Sequence, residues 1–590
     1  MNWVALGMRL AVVAAFVAAG LVVAALGRTA SDDRDAGVDT GGAAVVAPLR
    51  ERFLFGVPWG TLTTAAFVLG VYLFVQGGYD HWYNPVVIPF RAWSYFEPLG
   101  VVTAAFAHSG PGHLLGNLMA TLTLASVAEY AFGHFPDRRD GADGDGARAD
   151  GGSGAGADGT SAGESWVDRP RVRAFVLFPA GAVVVGLATA AFSLGPVVGF
   201  SGVVFAFAGF SLLYRPLTTV VALTASGTLS LVYNALQNPV VVASGRAAYV
   251  TPWWASIAVQ GHALGLLVGL LVAFALASRR RDALPRPGRL FVGALLFCAE
   301  QSLWAVYWYR GGETYVLYRA VGVTLVVVLA LLVAALGTYG SSDASWDVFR
   351  DASLRGAVSR ATPAMGAVLC LSVVTAGLAG AAVPVSLSTV DDGSLPGEPV
   401  HVRDYQVTYA EGVENGMVSV VEVSAFGETT SVNTSGVIVR NPERRIWTTA
   451  VTKGRLAFAG RSTVVLGGVG WRETVVAVRE GWRTTGGNVT YVVRLRHDGE
   501  AHLSYASPSA AARPRIDGRT VAVAPTNGSF SLAVTGANET TFTPVPEGNE
   551  TVSAGGLTFL REGRTVVATT GGNATRVQVA AKETYGRRRQ

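Results

Sequence analysis

Apolar residues fill the first two thirds of the chain in long blocks, and the last third in alternation with polar ones. A helix needs about 20 mostly apolar residues to cross a hydrocarbon core of about 30 Å. Ten hydrophobic helical segments follow, at 3–26, 58–77, 112–133, 172–192, 201–213, 217–236, 253–277, 290–309, 318–337 and 363–384. After 384 the period changes to two. Tyr491-Val-Val-Arg-Leu-Arg496, Thr520-Val-Ala-Val-Ala524, Phe530-Ser-Leu-Ala-Val534 and Thr575-Arg-Val-Gln-Val579 read as strands. Gly486-Gly-Asn488 and Gly571-Gly-Asn573 read as turns between such strands. The expected fold class is an all-α polytopic membrane protein with a C-terminal all-β domain over 385–590, built as one or two sandwiches. No internal repeat stands out.

Composition sharpens this. Of 590 residues, 50% are hydrophobic and 15% charged, which excludes a disordered polymer, a collagen and a small disulfide scaffold. The net charge of +5 is no nucleic-acid signal, because the basic residues are spread over the loops between apolar segments. All of them but Lys453 and Lys582 are arginine. The two cysteines, Cys298 and Cys370, lie inside apolar runs, so there is no disulfide framework, no zinc-ligand spacing and no redox motif. No cofactor or metal is called for.

Charge also sets the expected orientation. With 28–57 inside, the inner loops and helix ends hold nineteen arginines and the outer ones four: Arg91, Arg246, Arg310 and Arg319. Ten crossings then put the N-terminus and everything after 384 outside, with 28–57, 134–171, 278–289 and 338–362 inside. The first segment is read as a retained helix; a signal peptide with Arg9 in its n-region is the alternative. Six N-x-[ST] sequons, at Asn433, Asn488, Asn527, Asn538, Asn549 and Asn573, all fall in the C-terminal third, as expected of a region exposed to glycosylation. The insert 137–168, rich in Asp, Gly, Ala and Ser, reads as a disordered inner loop.

Polar residues inside apolar blocks are expensive and are therefore candidates for chemistry. Three groups stand out. In His108-Ser-Gly-Pro-Gly-His113-Leu-Leu-Gly-Asn117, His113 and Asn117 share one helix face and can both donate into a cavity. Helix–helix hydrogen bonding is the competing explanation. In Gly199-Phe-Ser201-Gly202, Ser201 opens a segment of 13 residues, about 20 Å of helix, too short to span. Such a helix starts partway through the membrane after an irregular stretch, which is tolerated only in protein or against a wet cavity. A simple Gly/Ser packing motif is the alternative there. In Gln260-Gly261-His262-Ala-Leu-Gly265-Leu-Leu-Val-Gly269, glycines spaced at four let a neighbour approach closely and bring His262 against it. Together the groups supply a nucleophile, a base and oxyanion donors: Ser201, His262, and His113, Asn117 and the Ser201 N–H.

The order and local sequence of these groups resemble the rhomboid family of intramembrane serine proteases. The matching pieces are Phe106-Ala-His108 with His113-x-x-x-Asn117, then Gly199-x-Ser201-Gly202, then Gly261-His262 with Gly265. Glu129 fits the family's acidic residue near the far end of the helix that carries His113. The resemblance covers roughly 58–279 and implies a six-helix core with about four additional helices. Domains are then 1–57, a helix and linker; 58–279, the core with its insert; 280–384, three further helices; and 385–590, the β region. The resemblance implies a Ser201–His262 dyad that cuts transmembrane segments of other proteins near the outer face. It also implies a gate at 217–236 and a cap at 237–252. Phe205 stands where many members have a tyrosine packed on the catalytic histidine, so stacking is kept and a hydroxyl lost. Phe90-Arg91-Ala92-Trp93 matches the family's Trp-Arg pair only loosely.

The expected partners are transmembrane protein substrates and the lipid bilayer, not nucleic acid. The β region is read as a binder of substrates or extracytoplasmic partners, or equally as a passive glycosylated module. Glu300, placed mid-span, is read as a buried packing residue. Two other classes remain: an inactive rhomboid relative acting as a membrane-protein binding or trafficking factor, and a sensor or transporter with a surface β domain.

Overall fold

The computed structural model describes residues 3–32, 49–135, 166–240, 249–339, 363–387 and 395–586, except 418–423, 426–427, 430, 538, 549 and 571–574. Most of the insert, the loop 340–362, and the sequons at Asn538, Asn549 and Asn573 lie outside the described residues. So does much of the linker after the first helix. The chain forms two compact units. The first comprises Met1–Ser244, Ser256–Tyr307 and Leu317–Leu387; the second comprises Gly245–Ala255, Trp308–Val316 and Ser388–Gln590.

Ten long helices build the first unit among the described residues. They are α1 (Trp3–Asp32), α2 (Trp59–Val75), α3 (111–132), α4 (Pro170–Ala191), α5 (Ser201–Tyr214), α6 (Pro216–Gln237), α7 (Val259–Arg280), α8 (Pro287–Glu300), α9 (Arg319–Leu336) and α10 (Pro363–Leu387). Pro111, Pro170, Pro216, Pro287 and Pro363 each open one, where the missing N–H costs nothing and the fixed φ suits a helix start. Pro216 also ends α5, because the residue before a proline is driven out of the helical region; Arg215 sits at φ −141 and ψ 62. α7 ends on Arg281 in the left-handed conformation, with Arg279 and Arg280 in its last turn against the negative end of the helix dipole. Five of the ten, α4, α6, α7, α9 and α10, are long and apolar enough to cross a membrane.

α5 lies at the centre of this unit. Eleven of its 14 residues are buried, as a helix apolar all round requires. α7 runs against it with backbone nearly touching backbone. A Cβ on Gly265 would strike the Gly202 carbonyl oxygen, one on Gly269 that of Ala206, and one on Gly209 of α5 that of Leu266. Gly261 differs from the expectation: its nearest neighbour would be Ser193 Oγ at 3.6 Å, so the close approach begins one turn later, at Gly265.

Three other expectations are corrected. The segment expected at 290–309 stops as a helix at Glu300, and Tyr307–Gly311 and Thr314–Leu317 form a β-hairpin, β1 and β2. Tyr307, Trp308 and Tyr309 extend the apolar run but favour strand, and Gly311, Gly312 and Glu313 turn the chain at φ values of 82, 55 and 68. Glu300 is therefore an exposed residue at a helix end and not a buried mid-span group. The segment expected at 253–277 begins only at Val259, after a short turn at Trp253–Ser256.

In the second unit, β3 (Val400–Val402), β4 (Tyr405–Glu414), β5 (Asn433–Asn441) and β6 (Ile446–Thr452) form an antiparallel sheet in the order β3-β4-β5-β6. A seven-residue helix, α11 (Lys453–Ala459), interrupts the all-β pattern; Thr452 caps it by accepting the Arg455 N–H. There follow β7 (Arg461–Gly468), β8 (Trp471–Thr484), β9 (Val489–His497), β10 (Glu500–Ala506), β11 (Ala510–Ile516), β12 (Arg519–Thr526), β13 (Ser529–Thr535) and β14 (Thr540–Pro544). The last four strands are β15 (Thr551–Ala554), β16 (Leu557–Glu562), β17 (Thr565–Thr569) and β18 (Arg576–Lys582). The large sheet runs β10-β9-β8-β18-β17-β16-β15, with β7 on β8, and β11–β14 form a third sheet. Trp482, Leu557, Phe559 and Val566 of the large sheet meet Ile516, Val521, Val523, Leu532 and Val534 of the third, which makes a sandwich core. Asn433, Asn488 and Asn527 are all exposed on this unit.

Candidate active site

Ser201 is the first residue of α5 and follows an irregular stretch, 192–200, that links it to the end of α4. Its conformation depends on Gly199, which sits at φ 127 in a region closed to side chains; a Cβ there would also lie 2.5 Å from His113 Cε1. Helical spacing then places Phe205 on the same face as Ser201, one turn further along. His262 is the fourth residue of α7. The close contact of α5 with α7 brings its Nε2 to 2.8 Å from Ser201 Oγ. Phe205 lies flat on the imidazole, with ring centroids 4.3 Å apart and planes at 9°. No acceptor meets the buried Nδ1 of His262 among the described residues. The described contacts of the imidazole are thus the Ser201 hydroxyl and the stacked Phe205 ring, with no third polar residue on Nδ1.

The second group centres on His108, which is fully buried. Its Nδ1 is 3.1 Å from the Phe106 carbonyl oxygen, so that nitrogen carries the proton and Nε2 accepts. Nε2 receives Asn117 Nδ2 at 3.0 Å and the Phe200 N–H at 3.5 Å. The imidazole therefore fixes both the Asn117 carboxamide and the residue just before Ser201. Gln76 holds His108 in turn: its Oε1 accepts the His108 N–H at 2.7 Å, and its Nε2 donates to the carbonyls of His108 at 2.9 Å and Val86 at 2.8 Å. His113 stacks edge-on against His108 at 5.0 Å between centroids, with Nδ1 3.2 Å from Ser109 Oγ.

The structure brings together Ser201, His262 and Phe205, and next to them His108, His113, Asn117 and Gly199. Gly202 and Gly265 make the helix contact that allows this, while Gly261 has no tight neighbour. Glu129 stands apart. It sits 12 residues beyond Asn117 on α3, about 18 Å along a helix. There it caps α2, with Oε1 accepting the Gly60 N–H at 2.8 Å and Oε2 accepting the Thr61 N–H and Oγ1, each at 2.7 Å. His134 donates to it at 2.8 Å. Sequence reasoning missed Gln76, whose place at the edge of an apolar run is the signal that could have found it.

Residues 163–279 match the family model for the Rhomboid domain. Over these residues the chain carries a Rhomboid domain. The match spans α4 to α7, and so includes Ser201, Phe205 and His262; the rhomboid-like motif of His108, His113 and Asn117 lies before it. With five helices among the described residues able to cross a bilayer, and the Rhomboid domain, the protein is a multi-pass membrane protein. No curated protein and no solved structure matches the chain.

Proposed function

We propose that the protein is an active rhomboid-type serine endopeptidase that cleaves transmembrane segments of other membrane proteins. The observation that carries this reading is the 2.8 Å contact of Ser201 Oγ with His262 Nε2, under the stacked Phe205 ring. A serine hydroxyl is a poor nucleophile until a base takes its proton. His262 Nε2 takes that proton as Oγ attacks the scissile carbonyl. The resulting oxyanion is met by the Ser201 N–H, the His113 ring and the second N–H of Asn117, whose first N–H goes to His108. His262 then hands the proton to the leaving amine, the C–N bond breaks, and an acyl-enzyme remains on Ser201. Water, deprotonated by His262, attacks the ester and releases the new carboxylate. Preorganised donors of this kind are worth about 10²–10³ in rate each.

Substrate enters from the lipid side past α6, the gate, half of whose residues are exposed; of the expected cap at 237–252, residues 241–248 lie outside the described residues. The N-terminus and 385–590 face outside, with glycans at the sequons, on the arginine asymmetry and the exposure of Asn433, Asn488 and Asn527. The filled dyad argues against the inactive-relative reading. The test is covalent labelling of the reconstituted protein by a fluorophosphonate probe. Labelling that is lost in Ser201→Ala, together with cleavage of a transmembrane substrate, supports the proposal. An unlabelled Ser201 and an intact substrate would overturn it.

A further inference from the structure

We propose that Gln260 is a positioning residue: one carboxamide that sets the Ser201 loop against the His262 helix and ties both to α10, a helix outside the 163–279 Rhomboid match. The inference rests on the dyad reading above. Gln260 lies two residues before His262, in the first turn of α7. Its Oε1 accepts the Leu194 N–H at 3.1 Å, and its Nε2 donates to the Phe192 carbonyl at 2.9 Å and the Leu378 carbonyl at 3.0 Å. Both donors and an acceptor of the amide are in use.

The loop these bonds grip is the one that delivers the nucleophile. Residues 192–200 have no helical ladder of their own. They are pinned at Val197, whose carbonyl accepts the Ala92 N–H at 3.2 Å, and at Gly199, whose N–H donates to the Ala104 carbonyl at 2.8 Å. Those pins come from the segment 92–104. Gln260 supplies the pin that comes from the helix carrying the base. The third bond reaches Leu378 in α10, and α10 touches the same region again: the Tyr95 N–H donates to the Ser386 carbonyl at 3.1 Å, while Tyr95 Oη donates to the Ala191 carbonyl at 2.9 Å. A hydroxyl and an imidazole act together only if their separation is held, and a misplacement of about 1 Å can cost about 10²-fold in rate.

Two variants in the full-length reconstituted protein test this. Gln260→Ala removes all three bonds. Gln260→Glu keeps the shape, the Leu194 bond and a favourable charge at a helix start, but a carboxylate faces two carbonyls in place of two donated bonds. We expect kcat on a transmembrane substrate to fall about tenfold or more in both, with KM within about twofold. Labelling of Ser201 by a small fluorophosphonate should slow by the same factor. A protonated carboxyl can still donate one bond. The ratio of Gln260→Glu to parent rate should therefore fall as pH rises through the carboxyl's titration, and the Gln260→Ala ratio should stay flat. Labelling at the parent rate in both variants would overturn the inference, as would loss of cleavage with labelling untouched. If Gln260→Ala does not fold, Gln260→Glu decides. Cleavage that survives Ser201→Ala in the same preparation would instead overturn the dyad itself.

Discussion

Phe205 and His262 lie face to face, with ring centroids 4.3 Å apart and planes within 9°. One comes from α5 and the other from α7, and Ser201 sits one helical turn before Phe205. A single short helix thus presents both the ring that stacks on the imidazole and the hydroxyl that the imidazole contacts. Phe205→Ala should loosen the ring and reduce Ser201 labelling by an intermediate factor, while Phe205→Tyr, which keeps the stack, should label at nearly the parent rate. Equal labelling of all three proteins would show that the stack does not place His262.

The proposed dyad should behave as one unit. Ser201→Ala should abolish cleavage in liposomes, His262→Ala should be about as severe, and the double variant no worse than either, because groups that act together are strongly non-additive. Asn117→Ala removes one proposed oxyanion donor and should cost about 10²–10³ in rate, leaving measurable cleavage. Rates from single-turnover assays of the four variants check the order.

Helix contact gives a stability contrast within one glycine series. Gly265→Ala and Gly269→Ala each drive a methyl into a backbone carbonyl of α5 and should cost about 1–3 kcal/mol or more. Gly261→Ala, with only Ser193 Oγ at 3.6 Å, should be tolerated. Thermal unfolding in detergent, compared across the three, tests this.

In the second unit, Glu411 gathers Lys453 Nζ at 2.7 Å, Tyr409 Oη at 2.8 Å and Tyr491 Oη. Burial by itself would raise its pKa, but the bonds from Lys453, Tyr491 and Tyr409 prevail and hold the carboxyl below its usual value. A depressed folded-state pKa stabilises above the unfolded pKa of about 4.3, and that stability is lost as pH falls through the folded pKa. The unfolding midpoint of the parent should therefore drop more between neutral and acid pH than that of Glu411→Gln.

Topology can be read with cysteines in a Cys370→Ser background, since Cys298 is buried. Asp150→Cys should resist an impermeant thiol reagent in intact cells and the exposed Glu500→Cys should react. The reverse pattern would invert the proposed orientation.

The sequence by itself determined the division into a helical part and a strand-rich part, because each kind of element writes its own period into the pattern of burial. Ser201 and His262 were visible as polar residues inside apolar blocks, and the spacing of Ser201 to Phe205 already put them on one face. The family resemblance, read from three short motifs, agrees with the match over 163–279. Partners across helices were not legible, since a 3.6-residue period tells which face is buried and not what covers it. Only the tertiary structure placed Asn117 on His108, Gln76 around His108, and Gln260 across three segments. It also decided that Gly265, and not Gly261, is where α5 meets α7. An apolar block, likewise, does not mark where a helix stops. Tyr307, Trp308 and Tyr309 satisfy hydropathy in either conformation, and the Gly311-Gly312 turn, with its positive φ angles, made the choice for a hairpin and left Glu300 at a helix end.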